Sequence, residues 1–239
     1  MMRLDKYLAE MGVGTRQEVK KQIRQGKVTV NGTVVKAADT KIDETCDEVT
    51  IGGRNISYVS YEYYMLNKPG GVVSATEDRR DTTVIDLIKE KKRKDLFPVG
   101  RLDKDTEGLL LITNDGDLAH RLLAPKKHVD KVYYAKIDGM VTEEDVKRFA
   151  EGIDIGAEEE EMTRPAKLDI MKSAEESEIR LTIHEGKFHQ VKRMFQAVGK
   201  EVLYLKRLSM GPLRLDPELA PGAFRVLTPE EKNALVDCH

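Results

Sequence analysis

The amino-acid sequence predicts an α+β fold in which a small N-terminal module precedes a larger domain. The first 36 residues contain two helical patterns followed by a tight hairpin. Beyond residue 60, strand-like stretches outnumber helices and do not alternate with them regularly, which favours a largely antiparallel mixed sheet flanked by helices over a doubly wound one. We place the domain boundary near residue 60, giving domains 1–60 and 61–239.

The length and composition are those of a chain that can fold without covalent or metal cross-links. It has 239 residues, 40 Lys and Arg against 42 Asp and Glu, and 40% hydrophobic residues. That size allows a core without disulfides or a structural metal. Cys46 and Cys238 are too few for a disulfide framework or a four-ligand zinc site. There is no apolar stretch of about 18 residues and no apolar signal core at residues 1–6, so we expect a cytoplasmic protein.

The elements of the first module follow from local patterns. Apolar residues at helical spacing predict a first helix that ends near Gly12: Leu4, Tyr7, Leu8 and Met11. Thr15 and Glu18 form a capping-box pattern, which predicts a second helix that ends at Gly26. Alternating β-branched residues around Asn31-Gly32 predict a hairpin over residues 28–35. Gly52-Gly53 reads as the start of a linker.

The charge is unevenly distributed although the net charge is only -2. Residues 1–36 carry eight basic and three acidic side chains, whereas residues 37–60 and 151–161 are acidic. A local basic face is typical of nucleic-acid binding, although a solvated helix face would look the same. The candidate RNA-binding residues here are Arg16, Lys20, Lys21, Arg24 and Lys27. A second basic run at 89–94 reads as an exposed helix end.

The first module resembles a known RNA-binding domain. The motifs Arg-Leu-Asp-Lys-Tyr-Leu at 3–8, Thr-Arg at 15–16 and Gly-Lys-Val-Thr-Val-Asn-Gly at 26–32 are similar to the small module first described in a small-subunit ribosomal protein. Ser is usual in that family where Thr15 stands, and either residue can cap a helix. The resemblance implies that the second helix and the adjoining hairpin face RNA.

The sequence of the larger domain predicts several strands and several helix starts. The strand over 63–68 runs into a turn, and the apolar strand over 109–113 is followed by a turn at 114–117. Caps predict helices that begin after Asp81-Thr82-Thr83, Thr142 and Thr228. A further helical pattern runs from about 188 to 198. The remaining strand-like stretches are 132–138, 153–155, 166–171, 178–184, 201–208 and 223–227.

A polar loop between Gly100 and Gly108 leads into the strand over 109–113. Functional residues often lie on such loops, although a charged turn would have the same composition. Gly-Arg-Leu-Asp at 100–103, with Thr-Glu-Gly-Leu-Leu-Leu-Ile-Thr at 106–113, resembles the signature loop of pseudouridine synthases of the RluA/RsuA superfamily. The resemblance implies that Asp103 is the catalytic aspartate and that Arg101 helps to hold a flipped nucleotide.

Two further motifs match this family. Lys-Val-Tyr at 131–133 implies that Tyr133 stacks on the target base, whereas Tyr134 is expected in the core on the opposite strand face. His-Gln-Val-Lys at 189–192 implies that Lys192 pairs with Asp103, and we expect His189 and Arg193 to contact RNA from the same helix face. Taken alone, the tyrosines could be packing and the cationic helix face could be solvated. Scattered histidines without a cysteine cluster argue against a metal site.

The resemblance implies an isomerase that converts a specific uridine of ribosomal RNA to pseudouridine without a cofactor. The order of the motifs is similar to the RsuA branch, and residues 185–195 are similar to its small-subunit type, so we expect 16S rRNA or a small-subunit assembly intermediate as the partner of a monomer. The alternatives are a 23S rRNA synthase of the same branch and a non-catalytic rRNA-binding assembly factor. The presence of Asp103, Tyr133 and Lys192 argues against the non-catalytic alternative.

Overall fold

The computed structural model describes residues 1–124, 129–156 and 161–237. The chain divides into two units, one formed by Met1–Glu62 with Lys89–Leu96, the other by Tyr63–Ile88 with Phe97–His239. The return of Lys89–Leu96 to the first unit was not indicated by any sequence pattern. Cys238 and residues 157–160 of the acidic stretch lie outside the described residues.

The first unit contains two helices and two small sheets. Its elements are β1 (Met2–Arg3), α1 (Leu4–Glu10), α2 (Arg16–Arg24), β2 (Val28–Val30), β3 (Thr33–Val34), β4 (Lys41–Ile42), β5 (Val49–Ile51) and β6 (Arg54–Asn55). Strand β1 pairs with β4, and the other four form a sheet in the order β3-β2-β5-β6. Both helices pack on a core of buried apolar residues: Leu4, Tyr7, Leu8, Val19, Ile23, Val28, Ile42 and Val49.

The local predictions for this unit are largely confirmed. Thr15 and Glu18 form the predicted capping box, which fixes the start of α2. Asn31 and Gly32 have φ values of 50° and 78°, as the tight turn between β2 and β3 requires. The linker prediction at Gly52-Gly53 was wrong. These glycines form the turn of a second hairpin, β5–β6, because both adopt positive φ and the flanking residues pair.

The basic run at 89–94 does not end an exposed helix. Arg93 is buried, and its guanidinium binds Glu10 at 3.1 Å and Asp95 at 2.6 Å. The same group lies 5.7 Å from the ring centroid of Tyr58, within cation–π distance. Arg93 is therefore a structural residue of the first unit.

The second unit is built on one mixed sheet. Its strands are β7 (Tyr63–Lys68), β8 (Phe97–Pro98), β9 (Glu107–Thr113), β10 (Lys131–Asp138), β11 (Lys167–Lys172), β12 (Glu176–Ile183), β13 (Glu201–Met210), β14 (Leu213–Arg214) and β15 (Phe224–Val226). They run in the order β11-β12-β10-β13-β9-β7-β15, with β14 on β13 and β8 on β9. Among these pairs only β9–β13 is parallel, so the predicted largely antiparallel sheet is confirmed.

In the described residues of this unit, four helices accompany the sheet: α3 (Gly116–Leu123), α4 (Glu143–Glu151), α5 (Gln190–Ala197) and α6 (Pro229–Val236). The predicted caps at Thr142 and Thr228 are present as capping boxes. One cluster of buried apolar residues joins β7, β9, α3 and α6, and includes Met65, Leu111, Leu118 and Leu235.

Three predictions of the element type in this unit were wrong. The segment after Asp81-Thr82-Thr83 forms turns, because its backbone bonds span three residues, as from the Asp86 N–H to the Thr83 carbonyl. The turn expected at 114–117 instead starts α3, where the Asp115 carboxylate accepts the Leu118 N–H at 2.9 Å. Residues 153–155 contribute an isolated bridge between Asp154 and Met162, not a strand.

Candidate active site

The loop between β8 and β9 holds Asp103 at the edge of the sheet. Leu102 and Thr106 on either side are buried, which anchors both ends of the turn. The Ser74 hydroxyl accepts the Leu102 N–H at 3.1 Å and donates to the Leu102 carbonyl at 2.8 Å. The Thr106 N–H donates to the Asp103 carbonyl at 3.1 Å. These bonds fix the backbone while the Asp103 side chain stays partly exposed.

Lys68 stabilises the backbone of this loop through hydrogen bonds. Its side chain is fully buried, and its ammonium donates to the carbonyls of Pro69, Lys104 and Thr106 at 3.0, 3.1 and 2.8 Å. Burial lowers the pKa of Lys68 to about 8. Sequence reasoning missed this role. The available signal was a lysine directly before Pro69 at the end of an otherwise buried strand.

Lys192 and His189 bring two nitrogen groups toward Asp103. The Lys192 ammonium lies 3.5 Å from one Asp103 carboxylate oxygen, and His189 Nε2 lies 3.6 Å from the other. Lys192 approaches Asp105 more closely, at 2.6 and 2.7 Å, and this hydrogen bond lowers the pKa of Asp105 below its ordinary value. Lys192 is therefore shared between two carboxylates, an arrangement that the sequence did not indicate.

The start of α5 has an unusual backbone. His189 is its N-cap residue and has a left-handed φ of 47°, so the predicted helix start at about 188 lies two residues too early. The His189 ring stacks on Phe188, with centroids 3.9 Å apart and planes inclined by 18°. Phe188 is 71% exposed, so a large apolar side chain next to His189 is accessible to solvent.

Tyr133 lies on the same side of the sheet as Asp103. It is 7% exposed and lines a cleft with Arg101, Asp103, His189, Gln190 and Leu205. The expectation that Tyr134 is a core residue was wrong. Tyr134 is only partly buried on the opposite face, where its hydroxyl donates to Glu178 at 2.7 Å, because alternate residues of β10 point to opposite sides.

The predicted RNA-binding residues occupy different surroundings. Arg101 is exposed and lines the cleft with Asp103. Arg193 binds the Glu161 carboxylate at 2.7 Å and the Ile155 carbonyl, so it is held within the protein beside α5. In the first unit, Arg16, Lys21, Arg24 and Lys27 are exposed and make no ion pair with the described residues, whereas Lys20 lies 3.8 Å from Asp5. Helix α2 and the start of β2 thus present a basic surface.

The described residues contain no group of three or more His, Cys, Asp or Glu side chains placed to hold a metal ion. They also contain no helix with the length and apolar character needed to cross a membrane.

Comparisons with known proteins agree on one family. Residues 62–197 match the RNA pseudouridylate synthase family, and residues 2–49 match the S4 domain. The chain is 51% identical to the uncharacterized RNA pseudouridine synthase YtzG of Bacillus subtilis, over 98% of both chains. It is 43% identical to the ribosomal small subunit pseudouridine synthase A of Vibrio vulnificus, over 96% of this chain and 97% of the relative.

The structural comparison gives the same result. The model is similar to a crystal structure of a pseudouridylate synthase, with a TM-score of 0.68 and 38% sequence identity, over 98% of this chain and 100% of the other.

Proposed function

The chain belongs to the RNA pseudouridylate synthase family and carries an S4 domain, and from this premise we propose that it converts a specific uridine of 16S ribosomal RNA to pseudouridine. The family and the relatives show the enzyme class. The name of the Vibrio relative, and the same name on the Escherichia coli relative at 39% identity, support the small subunit as the source of the substrate. Neither the 23S alternative nor a non-catalytic role gains support from these relatives.

One observation carries the proposed roles of the residues: a partly exposed carboxylate and a tyrosine ring line one cleft, and an ammonium lies 3.5 Å from that carboxylate, although the three groups lie far apart in the sequence. In the proposal, Asp103 supplies the essential carboxylate, Lys192 provides the compensating positive charge, and Tyr133 provides a surface for the displaced base.

The reaction breaks the N1–C1′ bond of uridine, rotates the base and forms a C5–C1′ bond. A proton leaves C5 and N1 gains one, so the product is an isomer of the substrate and no external reductant or group donor is consumed. A carboxylate suits this chemistry because charge like that of an oxocarbenium ion develops at C1′ when the glycosidic bond breaks. The base must leave its stack to reach the cleft, at a cost of a few kcal/mol that binding elsewhere on the RNA offsets.

That remote binding is the role we propose for the first domain, residues 1–60, ahead of a catalytic domain over 61–239. The limits of the two family matches, at residues 49 and 62, support this division. The proposal also includes a monomeric enzyme acting in the cytoplasm, where ribosomal RNA is available.

The function is tested by incubating the purified protein with separate transcripts of 16S and 23S rRNA and mapping pseudouridines in each. We expect one modified uridine in 16S rRNA and none in 23S rRNA. Modification confined to 23S rRNA would overturn the choice of substrate, and the absence of modification in both transcripts and in assembly intermediates would count against the enzyme itself.

The role of α2 is tested by changing its charges rather than by deleting the domain, because Lys89–Leu96 belongs to the first unit and would lose its packing partners. Replacing Lys21 and Arg24 by Ser should weaken binding to a 16S transcript and lower the magnitude of its salt slope by about 1.4 to 1.8, since each phosphate contact contributes about 0.7 to 0.9. The measurement is the affinity as a function of salt concentration.

The matched control removes two positive charges from the second unit, with Lys136→Ser at a partly buried position and Lys147→Ser at an exposed one. This variant should keep the wild-type slope. Equal slopes for both variants would show that α2 does not contact the phosphates.

A further inference from the structure

The sheet of the second unit has a second cavity on the face opposite Tyr133. We call it the rear groove. Its volume is about 650 Å³, and it is lined by residues of β7, β10–β14 and the loop after β14, including Asn67, Lys167, Arg180, Lys206, Arg214 and Asp216. Tyr134 pairs in register with Arg180 on one neighbouring strand and with Lys206 on the other. Since Tyr134 points away from Tyr133, these two cations lie on the opposite face from the aspartate cleft.

The rear groove has an excess of positive charge. Its two carboxylates are already engaged, because Asp169 pairs with Lys167 at 3.0 Å and Asp216 pairs with Arg225 at 2.7 Å. By contrast, no ion pair links Arg180, Lys206 or Arg214 to any carboxylate in the described ranges of the chain. Three cations, on β12, β13 and β14, therefore remain available to an anion.

Two other carboxylates lie near this face, and both are held by tyrosines. Glu178 accepts the hydroxyl of Tyr134, and Glu107, which pairs in register with Lys206, accepts the hydroxyl of Tyr204 at 2.7 Å. The Tyr134 and Tyr204 rings contact edge to face, with centroids 6.1 Å apart. This part of the sheet thus presents aromatic rings next to the unpaired cations, the combination that nucleic-acid strands use for stacking and phosphate contacts.

A buried amide gives independent evidence for a ligand. Asn67 is 2% exposed and donates its side-chain N–H to the Leu219 carbonyl at 2.7 Å. Its Oδ1 atom is buried and has no hydrogen-bond partner among the residues that the structure describes. An unsatisfied buried acceptor is costly, and a ligand that brings a hydrogen-bond donor would satisfy it. A fully ionised anion such as sulfate brings negative charge but no donor.

We propose that the rear groove binds a single-stranded segment of the RNA substrate, with phosphates on Arg180, Lys206 and Arg214 and a ribose 2′-hydroxyl on Asn67. RNA combines both requirements in each nucleotide, and its 2′-hydroxyl is the donor that DNA lacks. The proposal rests on the proposed function, since it assigns a second contact surface to the same substrate. The site would let the enzyme hold RNA on both faces of its catalytic sheet.

The test uses the full-length protein with the double substitution Arg180→Ser and Lys206→Ser, and a short fluorescein-labelled single strand of uridine nucleotides as the probe. Removing two contacts should weaken binding by on the order of tenfold and lower the magnitude of the salt slope by about 1.4. The wild type should also bind the RNA strand more tightly than the DNA strand of the same bases. Arg180 is exposed and Lys206 half-buried at the surface of the sheet, so circular dichroism should report a native fold.

The matched control is Lys136→Ser with Lys147→Ser, because Lys136 lies on the same face of β10 but is paired with Glu176 at 3.0 Å. A wild-type affinity and salt slope in the Arg180/Lys206 variant would overturn the proposal. If the Arg180/Lys206 variant no longer binds free uridine monophosphate but keeps the wild-type salt slope for RNA, the groove is a mononucleotide site. That result would also overturn the proposal. Equal RNA and DNA affinity would overturn the assignment to Asn67.

The outcome separates this proposal from the proposed function. If no rRNA is modified but the double variant still loses RNA affinity, the proposed enzyme activity is wrong and the proposed RNA site in the rear groove is supported. If 16S rRNA is modified and the double variant binds RNA like the control, only the groove assignment fails.

Discussion

Replacing Asp103 by Asn is expected to abolish pseudouridine formation, with a loss of at least about 1,000-fold in the rate at saturating RNA, as when an essential catalytic group is removed. The change preserves the size of the side chain and removes its charge. Because Asp103 is partly exposed and its carboxylate contacts only Lys192 and His189 among the residues that the structure describes, the fold should persist. RNA affinity should stay within a few-fold of the wild type. The measurement is single-turnover conversion of a 16S transcript.

The neighbouring carboxylate provides a sharp control. Asp105 binds Lys192 more closely than Asp103 does, yet its side chain is 72% exposed and it does not line the cleft with Tyr133. Asp105→Asn should therefore retain activity within about tenfold, since Lys192 remains free to pair with Asp103. An inactive Asp105→Asn protein together with an active Asp103→Asn protein would exchange the proposed roles of the two residues.

The largest effect on stability is expected from Gly108→Ala. Gly108 has a φ of 99°, and a Cβ atom there would overlap the Arg207 carbonyl oxygen and lie 2.8 Å from the Arg207 nitrogen. These are backbone atoms of β13, so the neighbour cannot rotate away. We expect a loss of about 3 kcal/mol or more in the free energy of unfolding, from steric overlap and from the unfavourable φ.

The measurement is chemical denaturation, with Gly116→Ala as the matched control. Gly116 begins α3, and no heavy atom lies within 4 Å of a Cβ atom built there. Its substitution should change stability by no more than about 1 kcal/mol, in the stabilising direction, because Ala is the better helix former. An insoluble Gly108→Ala protein beside a soluble control would agree with the expectation. An unchanged denaturation midpoint would show that β9 and β13 do not approach each other this closely.

Short-range patterns were the part of the fold that the sequence could predict. The capping box at Thr15, the turn at Asn31-Gly32 and the cap at Thr228 each depend on residues within a few positions of one another, and all three are present. The loop around Gly108 was recognised by resemblance alone. Its physical reason, contact with the backbone of Arg207, depends on a residue 99 positions away and could not be read locally.

The wrong or missing predictions have two causes, local patterns that suit more than one structure and contacts between distant residues. The apolar spacing after Thr83 suits a helix, but Asp86 accepts the Thr83 N–H and hydroxyl and turns the chain there. The start of α3 was missed because Asn114-Asp115-Gly116 is equally typical of a turn and of a helix cap. At the site, the sharing of Lys192 by Asp103 and Asp105 and the support from Lys68 are tertiary contacts, so no spacing in the chain encodes them.

The parallel pairing of β9 with β13 also determines when the central sheet can fold during translation. The Arg207 guanidinium donates to the Leu109 carbonyl across 98 residues. At about 5 to 20 residues per second, the ribosome needs roughly 5 to 20 seconds to supply the second strand after the first. Lys192 emerges only shortly before that strand. A nascent chain therefore carries its aspartate loop for seconds without the cation that faces it, and the site is assembled only after β13 has been synthesised.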